Sequence, residues 1–139
     1  MKNLYIILTL SLLAAGVAVS AETQTIRDAS GRIVGTATTN GTTTTYRDAQ
    51  GRITATASNH GGSTTTYRDA QGRIIGTRTT RGSGSSFRDA QGRTVATFYS
   101  SGHSTTYRDA QGRIVGTATQ NSGGTTYRDA SGRLRGTKR

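Results

Sequence analysis

The chain has no cysteine, no proline and no tryptophan, and each absence removes a class of explanation. Without thiols there is neither a disulfide framework nor a thiolate metal site, so a small exported domain must be held by its fold or by assembly. Without proline, nothing interrupts a strand ladder from within. Acids are scarce too: seven, against 18 lysines and arginines, for a net charge of +11. Apart from Glu22, every acid is an aspartate that directly follows an arginine, so no two carboxylates are placed for general acid–base work. His60 and His103 are the only histidines, two repeats apart, which is too few for a transition-metal site. The Asp-x-x-Gly spacing lacks the ligand density of a calcium loop, and no nucleophile elbow is present. The sequence therefore predicts no enzyme, no metal and no cofactor. The excess of basic charge predicts attraction to anionic polymers and surfaces, long-ranged and sensitive to salt.

Long apolar runs are confined to one place. Leu4 to Val19 is apolar except for Thr9, Ser11 and Gly16, follows the basic start Met1-Lys2-Asn3, and leads into Val19-Ser20-Ala21. This pattern predicts a signal peptide over residues 1–21, cleaved before Glu22. It is followed by one domain over residues 22–139 with no transmembrane span, in the periplasm, at the cell surface or outside the cell.

What is abundant is repetition. Tyr107-Arg108-Asp109-Ala110-Gln111-Gly112-Arg113 recurs six times with small changes. Its leading arginine falls at Arg27, Arg47, Arg68, Arg88, Arg108 and Arg128, a period of 20 residues with one step of 21. A fixed period in this range signals one supersecondary unit repeated. Within a unit, Thr42 to Asp48 and Arg52 to Ser58 are rich in β-branched and aromatic residues and flank Ala49-Gln50-Gly51. That is a strand, a three-residue turn with glycine in the left-handed position, and a strand. The fold class expected is all-β, an antiparallel β-hairpin repeat meander of six strand–turn–strand units, with open sheet, barrel and solenoid all allowed.

Carried through the hairpin, that turn sets Asp48 opposite Arg52, Arg47 opposite Ile53, Tyr46 opposite Thr54 and Thr45 opposite Ala55. Six aspartate–arginine pairs, ending with Asp129–Arg133, then line one rim and fix register. One face collects Ile26, Tyr46, Tyr67, Phe87, Tyr107 and Tyr127 opposite Val34, Thr54, Ile75, Val95, Val115 and Arg135, and is expected to be buried. The other carries the leading arginines with Ile33, Ile53, Ile74, Thr94, Ile114 and Leu134, then small residues from Gly35 to Gly136 that permit close backbone approach. The return turns vary from copy to copy, so loop-made contacts are expected at that rim.

Three departures from the period stand out. Phe98-Tyr99 replaces the Ala-Thr or Ala-Ser of other copies, where the aromatics either fill space left by Thr94 or anchor a partner. Arg78 and Arg81 add charge to the third repeat, read as a solvated face. The last copy ends in basic residues, which discourage further strand pairing. Nothing comparable protects Thr23 to Ile26, so self-association through the N-terminal edge is expected.

The phrase Tyr-Arg-Asp-Ala-Gln-Gly-Arg-Ile resembles the YD repeats of the RHS family, which pair a tyrosine and an aspartate with a small residue, a glycine and an arginine at about this spacing. The likeness spans residues 26–135, although here an arginine separates tyrosine from aspartate and the second tyrosine is missing. It implies a meandering antiparallel sheet on a secreted or surface protein. The plan of an exported, cysteine-free chain of glycine-rich repeats is also similar to curli-type fibre subunits, without their Gln and Asn ladder. Two functions follow. The first is a secreted or surface-associated binding module whose Arg27, Arg47, Arg68, Arg88, Arg108 and Arg128 meet an anionic polymer or the cell envelope, with Phe98 and Tyr99 as partner anchors. The second is a structural subunit that assembles edge to edge into a fibre.

Overall fold

The structure, a computed structural model, describes residues 21–139. The leader expected over residues 1–21 lies outside the described residues, Ala21 apart. Each repeat supplies two strands. They are β1 (Glu22–Asp28) and β2 (Ile33–Asn40), β3 (Thr43–Asp48) and β4 (Ile53–Ser58), and β5 (Thr64–Asp69) and β6 (Ile74–Arg81). The second half continues with β7 (Gly84–Asp89) and β8 (Thr94–Ser101), β9 (Ser104–Asp109) and β10 (Ile114–Asn121), and β11 (Gly124–Asp129) and β12 (Leu134–Lys138). Neighbours are antiparallel throughout, as the repeat predicted, and the meander closes into a barrel because β12 pairs with β1.

Closure follows from twist. A long meander of short, right-twisted strands curls, and joining its ends satisfies both rows of edge N–H and C=O groups. The N-terminal edge expected to await another chain is therefore occupied by this chain's own last strand. Ile26 lies opposite Lys138 and Asp28 opposite Gly136. Thr25 and Arg139 exchange two backbone hydrogen bonds of 2.7 and 3.1 Å.

The hairpin turn takes the expected geometry. The Asp48 N–H donates to the Arg52 carbonyl at 2.9 Å, the Gly51 N–H donates to the Asp48 carbonyl at 3.0 Å, and Gly51 has φ of 80°. Arg47 stands opposite Ile53, again as expected. Beyond that pair the register departs from the sequence reading, because Thr54 bulges from the ladder and sets Tyr46 opposite Ala55 and Thr45 opposite Thr56. Val34, Ile75, Val95, Val115 and Arg135 bulge at the same place in the other copies.

One extra residue reverses the alternation of everything after it. The aromatic ladder therefore shares its face with the glycine and alanine positions, and the expected partners Val34 to Arg135 sit at one mouth of the barrel instead. The core consists of Tyr46, Tyr67, Phe87, Tyr107 and Tyr127 with Ala37, Ala55, Ala57, Ala96, Phe98 and Ala118. Ile75, Val95 and Val115 close over it, whereas Val34 stays about half exposed. Rings meet edge to face or tilted, with Phe98–Tyr107 centroids 5.2 Å apart and Tyr67–Phe87 5.3 Å apart, the arrangement that ring quadrupoles favour.

Small residues do mark close approach, but on the inner face. A Cβ on Gly116 or Gly136 would stand 2.5 Å from the carbonyl oxygen of Arg128 or Arg27. Ala55, opposite Tyr46 in its own hairpin, lies opposite Asp69 in the next, two residues past Tyr67. Repeated at every hairpin, this step tilts the strands against the barrel axis, and inward side chains climb in a spiral.

The same bulge explains two further corrections. Arg78, read as part of a solvated face, falls on the inner face two residues after Gly76. Its Nη2 donates to the Ser85 hydroxyl at 3.1 Å, and its guanidinium carbon lies 5.8 Å from the centre of the Phe98 ring. Burial pushes the hydroxyls of Tyr46, Tyr67 and Tyr107 well above the usual tyrosine range, and the Arg78 charge pulls against it. Phe98 is core, 5 % exposed, while its neighbour Tyr99 is 58 % exposed on the outside. Phe98 does not fill space left by Thr94, which lies opposite Arg88 on the outer face.

Candidate functional site

Each hairpin brings two arginines to the same rim, and the turn that holds them is built from its own side chains. In the second repeat, Asp48 Oδ1 accepts the N–H groups of Gln50 and Arg52 at 2.9 Å, and Oδ2 accepts Arg52 Nε at 2.8 Å. Arg47 reaches along the outer face and donates Nη1–H to the Gly51 carbonyl at 2.8 Å. Arg27, Arg68, Arg88, Arg108 and Arg128 repeat that bond to Gly31, Gly72, Gly92, Gly112 and Gly132 at 2.8–2.9 Å. The six leading arginines are thus brought to one belt by the turn they brace. A guanidinium carries five N–H donors, so one bond to a carbonyl leaves it able to meet an anion as well.

The aspartate–arginine pairs appear where the sequence placed them in five copies. Asp28–Arg32, Asp48–Arg52, Asp69–Arg73, Asp89–Arg93 and Asp109–Arg113 are 2.7–3.1 Å apart, with the arginine side chains 75–81 % exposed. Burial would raise these carboxyls, but the hydrogen bonds from the turn and from the arginine outweigh it and hold all five below the usual range. The sixth pair differs from expectation. Asp129 binds Arg135 at 2.7 Å in place of the Arg133 side chain, because Arg135 occupies the bulge position that four other copies fill with valine or isoleucine. The Ser131 hydroxyl, assisted by Arg135 and the turn N–H groups, holds the Asp129 carboxyl down at about 2 despite the opposing effect of burial.

Around the outside, five of the six leading arginines alternate with an aliphatic and a hydroxyl side chain, and Arg88 stands between Thr94 and Thr77. Arg47 stands between Ile53 and Thr36, and Arg108 between Ile114 and Thr97. Ile33, Ile53, Ile74, Ile114 and Leu134 are all exposed on this belt. Further from the rim the outer face is threonine against threonine, as in Thr38–Thr45, Thr66–Thr77 and Thr126–Thr137.

The opposite rim is chemically different. Its two-residue turns at Gly41, Gly82 and Gly102 have glycine φ of 57–58°, and the turn after Ser58 carries the one extra residue of the 21-residue step. Among charged groups it holds Glu22, Arg81, Lys138 and Arg139. Burial lowers the affinity of Lys138 for its proton, with Glu22 opposing. His60 and His103 sit in separate turns there, and no cluster of histidine, aspartate or glutamate able to hold a metal occurs among the described residues.

The structure thus brings the six leading arginines onto one belt and separates Phe98 from Tyr99 by burial. Two features escaped the sequence reading. One is the inward Arg78. The other is a cavity of about 170 Å³ where β1 meets β12; its only signal was that Ile26 breaks a column of tyrosine and phenylalanine. Among the described residues no helix is long and apolar enough to cross a membrane. Comparison with protein families, curated proteins and solved structures returns no match, so the rim has to be understood from its own geometry.

Proposed function

We propose that this protein is an exported, non-enzymatic binding module that docks through its arginine rim onto an anionic polymer or the anionic surface of a cell envelope. The observation that carries this reading is the asymmetry of charge. Every hairpin sets two arginines against one aspartate at the same end of the barrel, while the other end has few charges of either sign. Fixed cations on a rigid ring give avidity without a deep pocket, since each weak contact is presented at no further ordering cost.

The circular layout bears on the partner. A linear polyanion laid against the wall touches only the arginines on one side, whereas a flat anionic surface facing the rim meets the exposed tips of all the hairpins together. The aliphatic belt of Ile33, Ile53, Ile74, Ile114 and Leu134 suits the second arrangement, because apolar side chains next to arginine are what a lipid headgroup layer accommodates. Growth into an edge-to-edge fibre would require the β1–β12 pairing to open first, which disfavours the subunit reading.

The test is binding of the chain to heparin, duplex DNA and vesicles containing anionic lipid across a range of salt. The affinity should fall linearly on a log–log plot against salt. Replacing Arg68, Arg88 and Arg108 together by glutamine should reduce the slope on DNA by about one for each arginine that meets a phosphate. Binding that ignores salt, or that survives the triple replacement unchanged, would remove the proposal.

A further inference from the structure

The cavity at the seam has a cause that can be read from the repeat. Five hairpins put tyrosine or phenylalanine into the lumen at the same place, Tyr46, Tyr67, Phe87, Tyr107 and Tyr127, and the first puts Ile26 there. Ile26 lies opposite Gly35 on β2, which has no side chain, and opposite Lys138 on β12, where Gly136 is two residues away opposite Asp28. A ring that the other copies supply is missing, and a cavity lies beside Ile26.

The space left is about 170 Å³, and its apolar lining comes from Ile26, Val34, Val115, Tyr127 and Gly136. Cavities of about 150 Å³ with aliphatic walls stay dry and hold a molecule of six carbons. At the opening stand Arg27, Arg128 and Arg135, against Asp28 and Asp129, so the mouth is cationic overall. Arg135 is specific to this place. Other copies have Val34, Thr54, Ile75, Val95 or Val115 at the bulge, none of them charged, and only here does a guanidinium border the lumen next to the missing ring.

We infer that the seam is a binding site for a compact anionic amphiphile, a chain of about six to eight carbons ending in a carboxylate, sulfate or phosphate. The chain enters between Ile26, Val34 and Val115, taking the place of the absent aromatic. The headgroup remains at the rim among Arg27, Arg128 and Arg135. The site shares Arg27 and Arg128 with the outer arginine belt and otherwise differs from it: its apolar part lies in the lumen, it takes one ligand per barrel, and it draws affinity from a shaped apolar hole.

The experiment is titration of the chain with octyl phosphate below its micelle concentration, with octanol as the uncharged comparison and Ile26→Tyr as the variant. Tyrosine at residue 26 restores the column and fills the hole. Octyl phosphate should bind saturably at one per chain, and octanol at least about tenfold more weakly for want of charge-assisted hydrogen bonds. Ile26→Tyr should abolish this binding while heparin binding, carried by the outer belt, is retained. Methyl NMR keeps the test decisive if that variant folds poorly: the signals of Ile26, Val34 and Val115 should shift on titration, and those of Ile53 and Ile74 should not. Absence of saturable binding, equal binding of octanol, full binding by a folded Ile26→Tyr, or shifts confined to the outer isoleucines would each overturn the inference.

Discussion

The two ends of the barrel are made by the same repeat and obey different rules. At the hairpin rim every copy spends its polar groups on itself, with aspartate accepting two backbone N–H groups, one arginine bound to that aspartate and the other to the glycine carbonyl. At the return rim the turns differ in sequence and in length, yet the strands they join keep register. The difference teaches where register is decided. A bulge and a braced turn fix each hairpin from one end, so the other end need only bring the chain back.

Three comparisons would break or sharpen that contrast. The largest effect is expected from Tyr107→Ala, which empties a fully buried site beside the hairpin rim and should cost about 3–5 kcal/mol in denaturant unfolding. The matching change at the return end, Ser100→Ala, should cost less than about 1 kcal/mol, since its hydroxyl meets only Thr105 in an exposed pair. Equal losses at the two sites would deny the asymmetry. Next comes the glycine comparison. Gly112 has φ of 80°, so Gly112→Ala should lower stability by about 1–2 kcal/mol. Gly123 lies in a return turn without a positive φ, and Gly123→Ala should change stability by less than about 0.5 kcal/mol.

The smallest effect concerns acid. The rim aspartates have folded values depressed below the unfolded one, that of Asp129 to about 2. Their contribution is therefore complete above about pH 4 and is lost as pH falls through the folded values. Unfolding followed from pH 5 to pH 2 should show stability declining over that window, and Asp109→Asn should make the decline shallower by one carboxylate's share. A flat profile would mean that the turns stand without their ion pairs.

Much of this was legible in the sequence. Period, turn and glycine together led to the twelve strands and to five of the six Asp–Arg pairs, because each depends on residues within one hairpin. The faces were not legible. Nothing in Ile53-Thr54-Ala55 marks Thr54 as the residue that leaves the ladder, and a single skipped residue is enough to exchange inside for outside. Arg78 and Phe98 were misplaced for that reason alone, since both fall inward once the bulge is counted. Closure was hidden for another reason: it is a contact between the first and last strands, and no local pattern in Thr23-Gln24-Thr25-Ile26 names Lys138 as a neighbour. The leading arginines were placed correctly on the outer face, because they come before the bulge.

A closed ring of identical steps also ties size to copy number. Adding or removing one unit of about twenty residues would leave every turn, bulge and ion pair intact, yet it would change the circumference by two strands and so the width of the lumen. The buried aromatics are matched to six units, so a seventh would open a channel that their rings cannot fill and a barrel of only five would crowd them. Growth by duplication, which usually lengthens a repeat protein, would here convert a filled cylinder into a hollow one.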